Sequence, residues 1–455
     1  MAPTSGSAPG TAPPGVPARE ILALAVPALG ALVVEPLFLL TDTAIVGALG
    51  TDALAGLGLA AAVLSTVVGL CVVLAYGTTA SVSRRLGAGD RAGGLACGVD
   101  GMWLALAVGA VLVAVGLPTV PGLVEAFDSS PGASTAARSY LTVSVLGIPA
   151  MLVVLAATGV LRGLQDTRTP LVVAGAGFTG NAVLSFLLVH GPGPLPGLGV
   201  VGSAWGTVVA QLAMAGWLVV LVVRGARREG ARLRPRGTGI RAAALAGVPL
   251  LLRTVTLRLA LLGTVWAAAS TGTESLAAHQ VVFTVWTFAA FVLDALAIAA
   301  QALTGRSLGA GDAEGTRATT RRMVRWGVGG GVLLGALLAV GSPWLPWLFS
   351  PDEQVRTGIT VGLLVVGLTA PLAGYVFVLD GVLIGAGDGP YLARAGVWAL
   401  LGYLPLLAVV PLTGLTGTTG LLVLWLAFAG GYMTARAVTL GLRERSGRWV
   451  VLGLG

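Results

Sequence analysis

The sharpest chemical feature of this chain is an aspartate inside a long apolar run. Asp42 precedes the Leu49-Gly50 turn by seven residues, about 10 Å along a helix, and so lies well within the first span. An ionisable side chain at such depth costs ~2.5–3.5 kcal/mol to insert, which makes each one a candidate functional group. A carboxyl kept from water there is suited to exchanging a proton near neutral pH; the plainer reading is a carboxylate merely hydrogen-bonded inside the bundle. Glu35 stands seven residues earlier, two helical turns, and projects from nearly the same face. It could form a second step in a proton path or line an inner cavity. Pro27 and Pro36 interrupt hydrogen bonding in the same run, and each permits a kink, whether hinged or fixed.

Neutral partners lie further on. Asn181 and Ser185 are four residues apart, as are Thr207 and Gln211, so each pair presents one polar stripe to a bundle interior, for function or for helix packing. In the second half, Asp294 and Asp380 interrupt the eighth and tenth spans. Asp380 could belong to a second cation site, although the seventh span offers no acid in its middle to join it; Asp294 reads as a structural or cavity-lining acid. Arg253 and Arg258, early in the seventh span, could pair with these acids or reach back to the membrane surface, and the surface is the expected course. His190 and His279 are expected at an outer interface, hydrated. Trp205, Trp266, Trp286 and Tyr375 could line a cleft for aromatic or cationic compounds, or simply pack. Cys71 and Cys97 read as structural thiols, no metal-ligand spacing occurs, and no phosphate loop can exist in a chain whose basic residues are all arginine. Two distant histidines do not make the reactive constellation that a membrane-embedded enzyme needs.

These residues must be positioned by helices in lipid. Of the 455 residues 56% are hydrophobic and 10% charged, with mean hydropathy +0.91, whereas soluble domains carry charge on about a quarter of their residues. Apolar runs of about 20 residues recur from Ile21 onward, and lipid leaves no choice but helix for runs of that kind. The spans predicted are 20–48, 53–82, 94–117, 138–162, 169–190, 199–223, 240–269, 274–304, 323–347, 357–384, 390–412 and 417–441. Arginine clusters follow the even-numbered spans, which predicts that those loops and both termini are cytoplasmic. The net charge of +8 is dispersed over short loops, so it is topological and no nucleic-acid partner is expected.

An internal repeat organises the spans. Leu86-Gly87-Ala88-Gly89-Asp90 returns 222 residues later as Leu308-Gly309-Ala310-Gly311-Asp312. At the same offset Gly159-Val160-Leu161-Arg162-Gly163 returns as Gly381-Val382-Leu383-Ile384-Gly385, and Gly50-Thr51-Asp52 as Gly272-Thr273-Glu274. Six spans per repeat put both halves into the bilayer in the same sense, related by a pseudo-two-fold axis along the membrane normal. The expectation is an all-α polytopic membrane protein of twelve transmembrane helices in two six-helix lobes. A disordered tail, 1–18, would lead to an N-lobe at 19–223, a linker at 224–240, a C-lobe at 241–442 and a C-terminal tail at 443–455. The lobes are chemically unequal, because Asp42 corresponds to Thr264 and Asp380 to Thr158.

Against this frame the motifs resemble a known family. Glu35-Pro36-Leu37 through Thr41-Asp42-Thr43-Ala44-Ile45-Val46-Gly47 is similar to the signature of multidrug and toxic compound extrusion (MATE) transporters, in particular their DinF-like branch. Leu276-Ala277-Ala278-His279-Gln280, Leu303-Thr304-Gly305 and Leu379-Asp380-Gly381 through Gly387-Asp388 are similar to its second-half motifs. The resemblance covers about residues 20 to 440. It implies an antiporter of the bacterial inner membrane, a monomer needing no cofactor, that exports small organic, often cationic amphiphiles by rocker-switch alternating access, driven by protons or sodium ions. It implies that Asp42 is the proton-linked residue, that Asn181 and Thr207 hydrogen-bond around it, and that the first helix bends. The chain departs at Ser185, where the family commonly has a second aspartate; that removes a two-carboxylate relay and favours protons over sodium. A lipid-linked oligosaccharide flippase of the same two-lobe frame is the alternative. It would be expected to carry several arginines in its cleft, and mid-span arginines are here almost absent from the sequence.

Overall fold

The computed structural model describes residues 16–191 and 196–454. The N-lobe consists of α1 (Ala18–Gly47), α2 (Thr51–Gly87), α3 (Arg91–Glu125), α4 (Pro131–Val145 and Ile148–Gly163), α5 (Arg168–His190) and α6 (Val200–Arg228). The C-lobe consists of α7 (Gly237–Ala269), α8 (Thr273–Gly309), α9 (Ala313–Gly341), α10 (Glu353–Gly385), α11 (Gly389–Thr413) and α12 (Gly417–Ser446). Eleven of these helices are long and apolar enough to cross a bilayer singly; α4 makes the twelfth span, its halves bent by 52° at Leu146-Gly147. The fold is the expected two-lobe bundle of twelve helices.

The repeat is visible in local structure. Asp90 and Asp312 cap α3 and α9, each accepting from a backbone N–H three residues on, Gly93 at 2.8 Å and Gly315 at 2.7 Å. Gly89 and Gly311 precede them at φ 77° and 76°, a conformation that a Cβ would strain. At the arginine-rich ends the lobes meet through α2 and α8. A Cβ on Gly87 would collide with the carbonyl oxygen of Arg306, and one on Gly309 with that of Arg84. Gly309 lies 222 residues after Gly87 and Arg306 lies 222 after Arg84, so the contact is reciprocal and the pseudo-two-fold axis passes between them. Hydrogen bonds joining the lobes gather at this end: Gln301 Nε2 to Tyr76 O at 2.7 Å, Arg306 to Glu20 at 2.9 Å and to Gln165 at 2.6 Å, and Arg84 Nε to Gly453 O at 2.8 Å.

Several boundaries differ from the sequence expectation. The ninth helix starts at Ala313 and ends at Gly341, not 323 to 347, because Asp312 caps it and Arg317, Arg321 and Arg322 ride on its first turns instead of in a loop. Helix also claims much of the expected linker: α6 continues to Arg228 and α7 begins at Gly237. The C-terminal tail lies against the bundle, with Trp449 buried and the Gly453 N–H donating to Leu308 O at 3.0 Å. Most of the tail expected at 1–18 lies outside the described residues. Pro27 and Pro36 sit inside α1, which runs unbroken. Pro27 leaves the Ala23 carbonyl without its helical donor, and Thr167 Oγ1 of the α4–α5 turn donates to that oxygen at 3.4 Å.

Candidate functional site

Asp42 lies in the last third of α1, only 3% exposed, on the face turned towards α5 and α6. Asn181 Nδ2 donates to Asp42 Oδ1 at 3.3 Å, and Thr207 Oγ1 donates to Asp42 Oδ2 at 3.3 Å, with Asn181 Oδ1 an alternative acceptor at 3.3 Å. Ser185 Oγ donates to Asn181 Oδ1 at 3.2 Å, one helical turn along α5. The pocket is dense because α6 comes onto α5 at Gly206, where a Cβ would press on Ser185. Three helices thus deliver one carboxyl, one amide and two hydroxyls to a single buried spot. Gln211 is half-buried one turn beyond Thr207, and no hydrogen bond ties it to Asp42.

Sequence reasoning missed part of this wall. Tyr140 of α4, buried, stands by Thr207, Ser144 and Ser203, and Ser203 also neighbours Asp42. The signal was available: Ser203, Thr207 and Gln211 recur every four residues on one face, as do Tyr140 and Ser144.

Glu35 does not join the pocket. It is exposed between the lobes, where its electrostatic neighbour is Arg258, itself exposed, of α7. Asp294 of α8 is half-buried with Tyr76, Arg162 and Arg253 as charged or polar neighbours.

Asp380 takes the arginine pairing that was the less expected course for Arg253. Arg253 Nε donates to its Oδ1 at 3.0 Å, the same guanidinium also pairs with Oδ2, and Arg436 donates to Oδ1 at 2.6 Å. All three side chains are buried. Arg253 therefore does not reach the membrane surface: a guanidinium fork matches a carboxylate, and an internal partner replaces water. Asp380 has arginines, not acids, for partners, and two guanidinium groups beside its carboxylate oppose a second cation site there. Arg436 of α12 was not singled out at all, and with Arg253 it corrects the expectation that arginines at this depth are almost absent.

His279 is also corrected. It is fully buried, its ring tilted against Phe283 at 5.8 Å and Trp425 at 5.5 Å between centroids. His190 ends α5, exposed. Trp286 packs on Phe283 and Phe428, whereas Trp205 and Trp266 are exposed.

A duplicated helical bundle with its polar groups sunk between helices, and its lobes joined at one end, is the build of a secondary transporter. The comparisons give the family. The MatE family model matches residues 27–187 and 249–409, two segments offset by the same 222 residues as the motifs. The chain belongs to the MatE family, and it is a multi-pass membrane transporter of the multidrug-efflux kind, handling small organic compounds, not an enzyme. It is 27% identical over 437 residues to "DNA damage-inducible protein F" of Escherichia coli, covering 94% of this chain and 92% of that one. It is 29% identical over 455 residues to "Protein DETOXIFICATION 44, chloroplastic" of Arabidopsis thaliana, covering 95% and 84%. A solved outward-facing multidrug resistance MATE family transporter superposes with TM-score 0.84 over 96% of this chain and 97% of that one at 20% identity, a likeness of fold.

Proposed function

We propose that the protein is a proton-coupled antiporter in which Asp42 takes up and releases the driving proton. The observation that carries this reading is the contrast between two buried carboxyls: Asp380 is locked by two guanidinium groups, whereas the partners of Asp42 are neutral amide and hydroxyl groups. A buried carboxylate without a cation settles its charge most simply by binding a proton. Once protonated, it becomes a donor, and either Asn181 Nδ2 or Thr207 Oγ1 must surrender its acceptor. The α1–α5–α6 contact therefore has two hydrogen-bonded arrangements, one for each protonation state, which is what coupling to a lobe movement requires.

The driven movement is a rocking of one lobe against the other. The joining of the arginine-rich ends supports a state in which the cleft faces the opposite side. Arginine placement makes the joined end cytoplasmic, with both termini there, in the plasma membrane of a bacterium. The exported compound is a small amphiphile, often cationic as in the family the chain resembles, and the transporter works as a monomer. Protons are favoured over sodium because Ser185 offers a hydroxyl where a second carboxylate would complete a cation cage. The test is substrate-dependent ion flux in proteoliposomes with a pH gradient and a sodium gradient imposed separately. Uphill transport is expected with the pH gradient alone; transport with sodium alone overturns the proposal.

A further inference from the structure

Two charged side chains at mid-depth, one from each lobe, belong neither to the Asp42 pocket nor to the Asp380 cluster. Glu35 stands 12 residues before the end of α1 at Gly47, and Arg258 stands 11 residues before the end of α7 at Ala269, so each lies about 16–18 Å along its helix from the end away from the arginine-rich face. The 222-residue offset also puts them on one level, because Arg258 is the counterpart of Pro36, the neighbour of Glu35. A charge at such depth does not face hydrocarbon, yet both side chains are exposed. They therefore face the space between the lobes. The Arg258 guanidinium reaches from the C-lobe to α2 of the N-lobe, where Gly69 leaves it room: a Cβ there would collide with Nη2. Glu35 lies within its field.

The two arginines of α7 that lie within the bilayer have different surroundings. Arg253 is buried and held by Asp380. Arg258, five residues on, makes no hydrogen bond or ion pair with a side chain among the described residues, and neither does Glu35. Two opposite charges on one level are thus each short of a close partner within the protein. A compound with a single charge answers only one of them: a bare cation at Glu35 meets the repulsion of Arg258, and a bare anion at Arg258 meets that of Glu35. A compound carrying both charges answers both. Deeper between the lobes the acid of Asp294 from α8 is opposed by Arg162 from α4, so no surplus of acid draws in simple cations.

We propose that Glu35 and Arg258 form a substrate site with one charge from each lobe, which selects amphiphiles bearing a cationic group together with a carboxylate. Arg258 is the specificity residue, because its planar guanidinium fork matches a carboxylate in two parallel hydrogen bonds. Glu35 takes the cationic end. A substrate held in this way spans α1 of one lobe and α7 of the other, the two helices that the pseudo-two-fold axis relates. The assignment rests on the efflux reading and narrows its substrate; it does not depend on which ion drives transport.

The test is fluorescence anisotropy with the full chain in phospholipid nanodiscs, without an ion gradient and with empty nanodiscs as the blank. The probes are rhodamine B, which carries a delocalised cation and a carboxylate, and its ethyl ester, which keeps the cation and lacks the carboxylate. Partitioning alone favours the ester, the more lipophilic of the two. The parent should nevertheless bind rhodamine B about tenfold more tightly, the effect of one charge-assisted contact to a carboxylate. Arg258→Gln should remove that preference by weakening rhodamine B alone, whereas Glu35→Gln should weaken both dyes. Both side chains are exposed, so both variants should melt with the parent; if Arg258→Gln does not fold, the preference of the parent decides. Equal or tighter binding of the ester by the parent, a parental preference in folded Arg258→Gln, or undiminished binding of both dyes by Glu35→Gln overturns the proposal and leaves the efflux reading standing. Binding of neither dye overturns the proposal and counts against the efflux reading itself.

Discussion

Equivalent positions of the two lobes hold opposite kinds of polar core. Asp42, Asn181, Ser185 and Thr207 correspond at the 222-residue offset to Thr264, Tyr403, Leu407 and Ala429. The C-lobe reduces this constellation to one hydrogen bond, Thr264 Oγ1 to Tyr403 Oη at 2.7 Å, within an aromatic cluster of Tyr403, Phe428, Tyr432 and Trp425. It keeps its own buried carboxyl elsewhere, at Asp380 between Arg253 and Arg436, where the N-lobe has Thr158, Ala31 and Met214. One helical frame thus serves twice: in one lobe with a charge free to be neutralised, in the other with a charge fixed in place. Side chains, not topology, set the two lobes apart.

The comparison breaks most visibly at Asp380. Asp380→Asn leaves two buried guanidinium groups short of a counter-charge, and removing one partner of a buried ionic cluster costs about 3–5 kcal/mol. A large fall in thermal midpoint and in folded yield is expected. Replacing Asp380, Arg253 and Arg436 together by apolar residues of similar volume should restore much of the loss, and failure to do so would give the cluster a role beyond holding α7, α10 and α12 together.

Gly309→Val comes next. Its Cβ meets the Arg84 carbonyl across the pseudo-two-fold seam, so overpacking of roughly 1–3 kcal/mol is expected against the closed arginine-rich end. Protease or thiol-labelling access there should rise. Gly329→Ala, which meets nothing within 4 Å, should leave both readouts unchanged.

Within the Asp42 pocket, Thr207→Val removes one of two donors to a buried carboxyl. A loss of about 1 kcal/mol in stability is expected, with slower proton-driven efflux. The same exchange at Thr264 in the C-lobe should affect stability alone, as seen by comparing thermal midpoints with transport rates.

The smallest effect is expected at the repeated helix caps. The Gly93 N–H, with Arg85 beside it, holds the Asp90 carboxyl below the usual aspartate range. A depressed folded-state value means that the stabilisation is present above the unfolded value, near pH 4, and is lost as pH falls through the folded one. Asp90→Ala should cost about 1 kcal/mol at neutral pH, and the variant and parent should converge in acid.

Much of this contrast was legible in the sequence. Glycine and aspartate at a fixed 222-residue offset gave the two lobes, because turns and caps demand those residues whatever lies between. Asp42 stood out because charges in lipid are rare. Asn181, Ser185 and Thr207 followed from four-residue spacing and the family resemblance. The arginines were harder: Arg253, Asp380 and Arg436 lie far apart along the chain, and no local pattern says that three helices bring them together. Charge also misled at the ninth helix, where arginines on an exposed helical turn were read as a loop. His279 was read as interfacial because its burial comes from Trp425, a residue of another helix.

The most direct test of the central claim is dye efflux by Asp42→Asn in inverted vesicles under an imposed pH gradient. The amide preserves shape and hydrogen-bonding capacity but cannot exchange a proton. Folded yield and dye binding should stay near parental while uphill efflux falls to background. Parental uphill efflux by a folded Asp42→Asn protein would contradict the assignment of coupling to this carboxyl.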